Sequence, residues 1–158
     1  MYTKVKTTQE IAAMRESGRQ LALVLDHLRT SVRAGMSTKE VADLATQKLA
    51  ELGGEPAFLG YYGFPSVLCV SVNEEVVHGI PRVDKILHNG DILSLDFGVV
   101  VKGMITDAAI SIVVGTTGNS KEKDLVRFTE EALLAGIAEA RDGVQVGTIA
   151  NAIEAVLK

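Results

Sequence analysis

The sequence predicts an α+β fold, an antiparallel sheet with helices on one face. Three observations predict it. Near the N-terminus two capping boxes each open a run of apolar residues at helical spacing. Further on, two long apolar runs meet at Lys102-Gly103 and read as a β-hairpin, and from Ser120 the apolar period becomes helical again. No internal repeat and no linker-like stretch interrupts the chain, so one domain is the simplest organisation.

Thr7 and Glu10 form the first capping box, and Ile11, Met14, Leu21, Leu25, Leu28 and Val32 then recur at steps of three, four or seven. This spacing predicts an amphipathic helix of about six turns, broken at Ala34-Gly35. Ser37 and Glu40 form the second box, opening a helix through Val41, Leu44, Ala45, Leu49 and Leu52 that Gly53-Gly54 stops. Glu55 to Pro65 reads as a loop punctuated by Pro56, Gly60, Gly63 and Pro65, and it carries the aromatic residues Phe58, Tyr61, Tyr62 and Phe64. Val67 to Val72 reads as a strand, Asn73-Glu74 as a turn and Glu75 to His78 as a short return strand, closed by Gly79-Ile80-Pro81. After Asn89-Gly90-Asp91 come the hairpin strands Ile92 to Val101 and Met104 to Val114. The next helix runs through Leu125, Phe128, Leu133 and Ile137 with Gly143 near its end, and a last helix starts around Thr148 with Ile149, Ile153, Val156 and Leu157. That helix reaches Lys158 in mid-pattern, with no Gly or Asn stop signal.

Composition narrows the class of function. With 158 residues, 47% of them hydrophobic and 23% charged, the chain can build an ordered core. A domain of this size buries roughly 70% of its unfolded surface. A net charge of −4 offers no basic field for phosphates, which argues against nucleic acid as the main partner. The one cysteine, Cys69, excludes an intrachain disulfide and a zinc site built on repeated thiolates. No apolar run approaches the roughly 20 residues needed to span a bilayer. Met1 to Gln9 has no signal-peptide apolar segment, so a soluble, cytoplasmic protein is expected.

Asp96 and Asp107 lie inside strands that are otherwise apolar, where aspartate is depleted. A hairpin with a two-residue or four-residue loop pairs positions whose numbers sum to an odd value, as 96 and 107 do. Both carboxylates then share a face, directly opposite or diagonal. Close carboxylates on a half-buried face repel, and no Lys or Arg lies near them in the pattern. A divalent metal clamped by the pair would polarise a carbonyl and activate water. The spacing leaves open the plainer alternative, that one or both face solvent or cap nearby backbone. His78, held by the stiff Gly-Ile-Pro turn, is either a ligand, proton donor or substrate contact, or a structural histidine. His27 and His88 read as surface residues. Phe58, Tyr61, Tyr62 and Phe64 with Cys69 suit a pocket for an unbranched apolar group such as methionine, or else core beneath a loop. Neither a Gly-rich phosphate loop nor a local Ser-His-Asp signature occurs.

Four segments taken in order carry a resemblance: Gly60-Tyr61-Tyr62-Gly63-Phe64-Pro65, Cys69 through Asn73-Glu74-Glu75-Val76-Val77-His78-Gly79-Ile80-Pro81, Gly90 through Asp96, and Thr106-Asp107. Together they strongly resemble type I methionine aminopeptidase, a family of M24 metallopeptidases, along essentially the whole chain. The resemblance implies the pita-bread fold, two pseudo-symmetric α/β halves around a dinuclear metal site. It also implies removal of the initiator Met from nascent proteins by metal-activated water. On this resemblance Asp96 chelates one metal, Asp107 bridges both, and His78 contacts the scissile peptide as a catalytic residue. Tyr61, Phe64 and Cys69 form the methionine side-chain pocket, with Phe58 at its edge. The implied cofactors are two divalent ions, Co, Mn, Fe or Zn, and the implied partners are N-terminal Met peptides of nascent proteins and the ribosome. Ala108-Ala109 departs from the family pattern, where a hydroxyl residue is common.

In that family one His and two Glu ligands and a second catalytic His come from the C-terminal half. Residues 1–158 are therefore expected to be the N-terminal half of the catalytic domain, with the C-terminal half absent. The metal site would be incomplete, the isolated chain inactive, and an exposed sheet edge or apolar face open to self-association. The alternatives are another M24 peptidase of the Xaa-Pro or creatinase kind, or a non-catalytic pita-bread module that binds peptides or proteins.

Overall fold

Two helices open the chain, each from the capping box its sequence predicts. In the computed structural model, which describes residues 5–115 and 120–158, α1 spans Thr8–Ser31 and α2 spans Thr38–Leu52. The Glu10 N–H donates to Thr7 Oγ1 at 3.2 Å, and the Thr7 N–H donates to Glu10 Oε2 at 2.7 Å. Ser37 and Glu40 repeat the pattern at the same distances. Gly53 ends α2 in the left-handed region, φ 74, where a side chain would be strained. The buried face of α1 is Ala13, Ser17, Gln20, Leu21, Val24, Leu25 and Leu28, whereas Ile11, expected on the apolar stripe, is 44% exposed. Ser17 earns its burial by hydrogen bonding: its hydroxyl donates to the Val99 carbonyl at 2.8 Å and meets the Thr106 hydroxyl at 2.8 Å.

The sheet is antiparallel, with β1 at Glu55–Pro56, β2 at Leu68–Val72, β3 at Ile92–Val101 and β4 at Met104–Val113. β4 pairs with β3 along its whole length, while β1 and β2 share the other edge of β3. The expected loop at Glu55 thus contributes a two-residue strand, with Pro56 placed where a missing N–H is tolerated.

The expected return strand at Glu75 to His78 does not form. Asn73 and His78 have φ of 55° and 60°, which is incompatible with extended pairing. The Glu75 carboxylate takes the Val72 N–H at 2.9 Å, so the segment meets β2 again only at Gly79.

Alternation along the strands separates two faces. Leu93, Leu95, Phe97 and Val99 of β3, with Leu68, Val70 and Val72 of β2, join one buried cluster with Leu21, Val24 and Leu28 of α1 and Val41, Ala45 and Leu49 of α2. Ser94, Asp96 and Gly98 of β3 point the other way. The two helices therefore cover one face of the sheet, and the opposite face carries the polar and small residues.

Residues Met1–Thr116 make up this compact unit, and Thr117–Lys158 form a second. No composition shift marks the boundary, which is why the sequence reads as one domain. In the second unit α3, Ser120–Glu139, packs on α4, Val146–Leu157, which begins slightly before the expected Thr148. A Cβ added at Gly136 would lie 2.8 Å from the Ile153 side chain, so glycine sets how closely the helices approach. Leu125, Phe128, Leu133 and Ile137, the apolar positions predicted on α3, are 42–58% exposed, and the buried residues there are Ala132 and Gly136. A helix pair has one mutual face to bury, and its other apolar side chains stay outside.

Candidate active site

The hairpin geometry brings the two aspartates together. Lys102 and Gly103, with φ of 50° and 76°, make the two-residue turn that matches strand twist, and the register runs from Val101↔Met104 to Ile92↔Val113. Asp96 therefore sits opposite Ala109 and Asp107 opposite Gly98, a diagonal pair on the face away from the helices. Across the other edge Cys69 is the direct partner of Asp96, so the thiol joins the same face.

The electrostatics follow from this crowding. Burial first, then the charge of Asp107 and a hydrogen-bonding contact with its carboxyl, push Asp96 above the usual carboxylate range; His78 acts weakly in the opposite sense. Burial, reinforced by both aspartates, pushes the Cys69 thiol up to about 11. Cys69 is thus a neutral, apolar wall near pH 7 and not a thiolate nucleophile.

A cavity of about 560 Å³ opens on this face, lined by Phe58, Tyr61, Tyr62, Phe64, Cys69, His78, Ile80, Asp96 and Asp107. Every residue that the sequence singled out for the site lines it. Tyr61 and Tyr62 stand at its exposed side, their rings edge to face at 4.7 Å. Ile80 is an addition that the sequence reading did not select. Its one signal was its place in the Gly-Ile-Pro turn beside His78.

Gly98 is a second residue the sequence reading passed over. The Ala57 N–H donates to the Gly98 carbonyl at 3.0 Å, and a Cβ at position 98 would lie 2.7 Å from the Phe58 ring and 2.8 Å from Ala57 Cβ. The absent side chain lets the aromatic loop lie flat on the sheet beside Asp107. Gly98→Ala is expected to lift that loop, at a cost of about 1–3 kcal/mol. Urea unfolding measures the cost, and shifted Phe58 ring resonances report the displacement. Unmoved resonances would mean that the loop is not seated by this contact.

The pair of carboxylates suits a divalent cation. Among the described residues no Lys or Arg ion-pairs with either, the oxygen donors are hard, and their mutual repulsion is what a bound cation relieves. The set is partial, because no group of three or more His, Cys, Asp or Glu converges on one point among the described residues.

Comparison with known proteins agrees with this chemistry. Residues 12–158 match metallopeptidase family M24. The chain belongs to that family. This M24 chain is 41% identical over 149 residues to methionine aminopeptidase 1 of Bacillus subtilis, covering 94% of the chain and 59% of the relative. It is 39% identical over 150 residues to the methionine aminopeptidase of Clostridium perfringens, again covering 59% of that protein. The crystal structure of methionine aminopeptidase from Thermotoga maritima superposes with a TM-score of 0.93 at 36% identity, over 98% of this chain and 62% of that one. Prolidase from Pyrococcus furiosus shares the fold, with a TM-score of 0.83 at 20% identity. The α+β architecture is thus that of the pita-bread proteins, and the M24 chain spans about three-fifths of the length of the curated relatives it matches. Membership of a metallopeptidase family implies divalent metal cofactors.

Proposed function

We propose that this chain belongs to a cytoplasmic methionine aminopeptidase, which removes the N-terminal Met from nascent proteins. One observation carries the reading: a carboxylate pair that no Lys or Arg among the described residues ion-pairs stands at an apolar, aromatic and thiol-lined cavity. Asp96 and Asp107 would hold two divalent ions of the Co, Mn, Fe or Zn kind, with Asp107 shared between them. Ions held there supply Lewis acidity toward an amide carbonyl and a lowered pKa for water. His78 would donate a hydrogen bond to the scissile peptide and hold it in register with the carboxylates. Phe58, Tyr61, Phe64 and the neutral Cys69 thiol would enclose the methionine thioether, which favours aromatic contacts. The remaining donors belong, on this reading, to the two-fifths of the relatives that residues 1–158 do not match.

The Xaa-Pro alternative is not favoured, because prolidases share only the fold at 20% identity and the cavity wall suits an unbranched apolar side chain. A non-catalytic module would have no use for two repelling carboxylates. Hydrolysis of a Met-Ala-Ser peptide and of an Ala-Pro peptide by the full protein with Co²⁺ or Mn²⁺ tests the reading. Cleavage of the first alone is expected, and cleavage of the second alone would replace it with the Xaa-Pro activity. Residues 1–158 by themselves are expected to bind these ions weakly, with no turnover.

A further inference from the structure

His78 has a left-handed backbone, φ 60, a conformation that non-glycine residues adopt only where their surroundings enforce it. The enforcing contacts lie one residue on. Gly79 crosses β2 so closely that an added Cβ would be 2.2 Å from the Val70 carbonyl oxygen. Its carbonyl accepts from the Val70 N–H at 2.9 Å, and its N–H donates to Ser71 Oγ at 3.0 Å. Ser71 is 4% exposed and projects from β2 on the same face as Cys69.

The peptide unit between His78 and Gly79 carries the hydrogen that Ser71 accepts. Its orientation is the ψ of His78, so this one bond fixes where the imidazole projects. The bond between Val70 and Gly79 anchors the chain beyond that peptide and leaves ψ of His78 free. With no acceptor at position 71, the Gly79 N–H would be buried and unpaired. The peptide would then rotate toward water, and the strained His78 backbone would relax toward an extended conformation. On either side of it, the Glu75 ion pair with Lys85 and the reciprocal bonds between Thr38 and Arg82 hold the ends of the loop, and neither touches the 78–79 peptide.

We propose that Ser71 is the positioning residue for His78: its buried hydroxyl, through the Gly79 N–H, keeps the imidazole in the cavity with Asp96 and Asp107. The proposal rests on the aminopeptidase reading for its kinetic consequence, but not for its structural one.

Ser71→Ala, Ser71→Cys, Ser71→Thr, His78→Ala and the Ser71→Ala/His78→Ala double variant test it in the full protein loaded with Mn²⁺. On a Met-Ala-Ser peptide Ser71→Ala is expected to lower kcat about tenfold with KM within about twofold. Ser71→Thr, which keeps the hydroxyl, recovers most of the loss, and Ser71→Cys, a weaker acceptor, falls between. In the His78→Ala background Ser71→Ala changes kcat less than about twofold, because the group it positions is gone. An undiminished loss in that background, or a kcat within twofold in the single variant, overturns the proposal. Hydrogen exchange gives an independent reading: the Gly79 amide loses protection in Ser71→Ala while the Leu95 amide in β3 keeps it. If the wild-type protein cleaves no Met peptide, the aminopeptidase reading fails, and the Gly79 exchange alone decides whether Ser71 holds the 78–79 peptide; unchanged protection there overturns it.

Discussion

Asp96→Asn and Asp107→Asn are each expected to lower the affinity of the full protein for Mn²⁺ or Co²⁺ by at least about 100-fold, measured by titration calorimetry, and to remove Met-Ala-Ser hydrolysis with it. Loss of a residue that merely supports a metal ligand costs about 10- to 100-fold, and loss of a ligand's charge should cost more. Stability should move the other way. Asp96 has its pKa raised in the folded chain by burial and by Asp107, so ionisation is harder in the folded state than in the unfolded one. That cost is absent below the unfolded pKa and grows as pH rises through the folded value. Above the unfolded pKa the metal-free protein carries that cost, and an asparagine does not. Metal-free Asp96→Asn should therefore unfold in urea no earlier than wild type. Lost affinity with an intact fold identifies a ligand, and unchanged metal binding would remove Asp96 and Asp107 from the proposed site.

Phe97→Ala is expected to have the largest effect on stability, about 3–5 kcal/mol. Phe97 is fully buried at 0% exposure, among the largest such side chains, and it points into the helix-covered face. Its chain neighbours, Asp96 and Gly98, point to the other face and supply a carboxylate of the proposed metal site and the seat of the aromatic loop. The same strand thus ties the core to the site, and a cavity behind β3 should loosen both. Urea unfolding followed by near-UV circular dichroism measures the cost. A loss under about 1 kcal/mol would show that the core closes around the gap.

Much of this arrangement is legible in local sequence. Thr7 with Glu10 and Ser37 with Glu40 identify the helix starts because capping satisfies orphan N–H groups within one turn. The shared face of Asp96 and Asp107 follows from a two-residue turn and the alternation of strands, so counting residues suffices. Counting fails for Glu75 to His78, where the expected return strand is overridden by left-handed backbone at Asn73 and His78 and by the Glu75 carboxylate on the Val72 N–H. It fails again on α3, whose apolar stripe is real in sequence but has too little partner surface within its own unit to be buried.

By itself the sequence determined the starts of the first two helices, the central hairpin and, given a two-residue turn, the placement of two carboxylates on one face. Each depends on hydrogen bonds or side-chain directions set within a few residues. Only the tertiary structure decided that Cys69 lies opposite Asp96, that Phe58 rests on Gly98, that Ile80 joins the cavity and that Ser71 holds the peptide after His78. Those contacts join segments that no local rule relates, because strand register and loop path are set by what the whole core excludes.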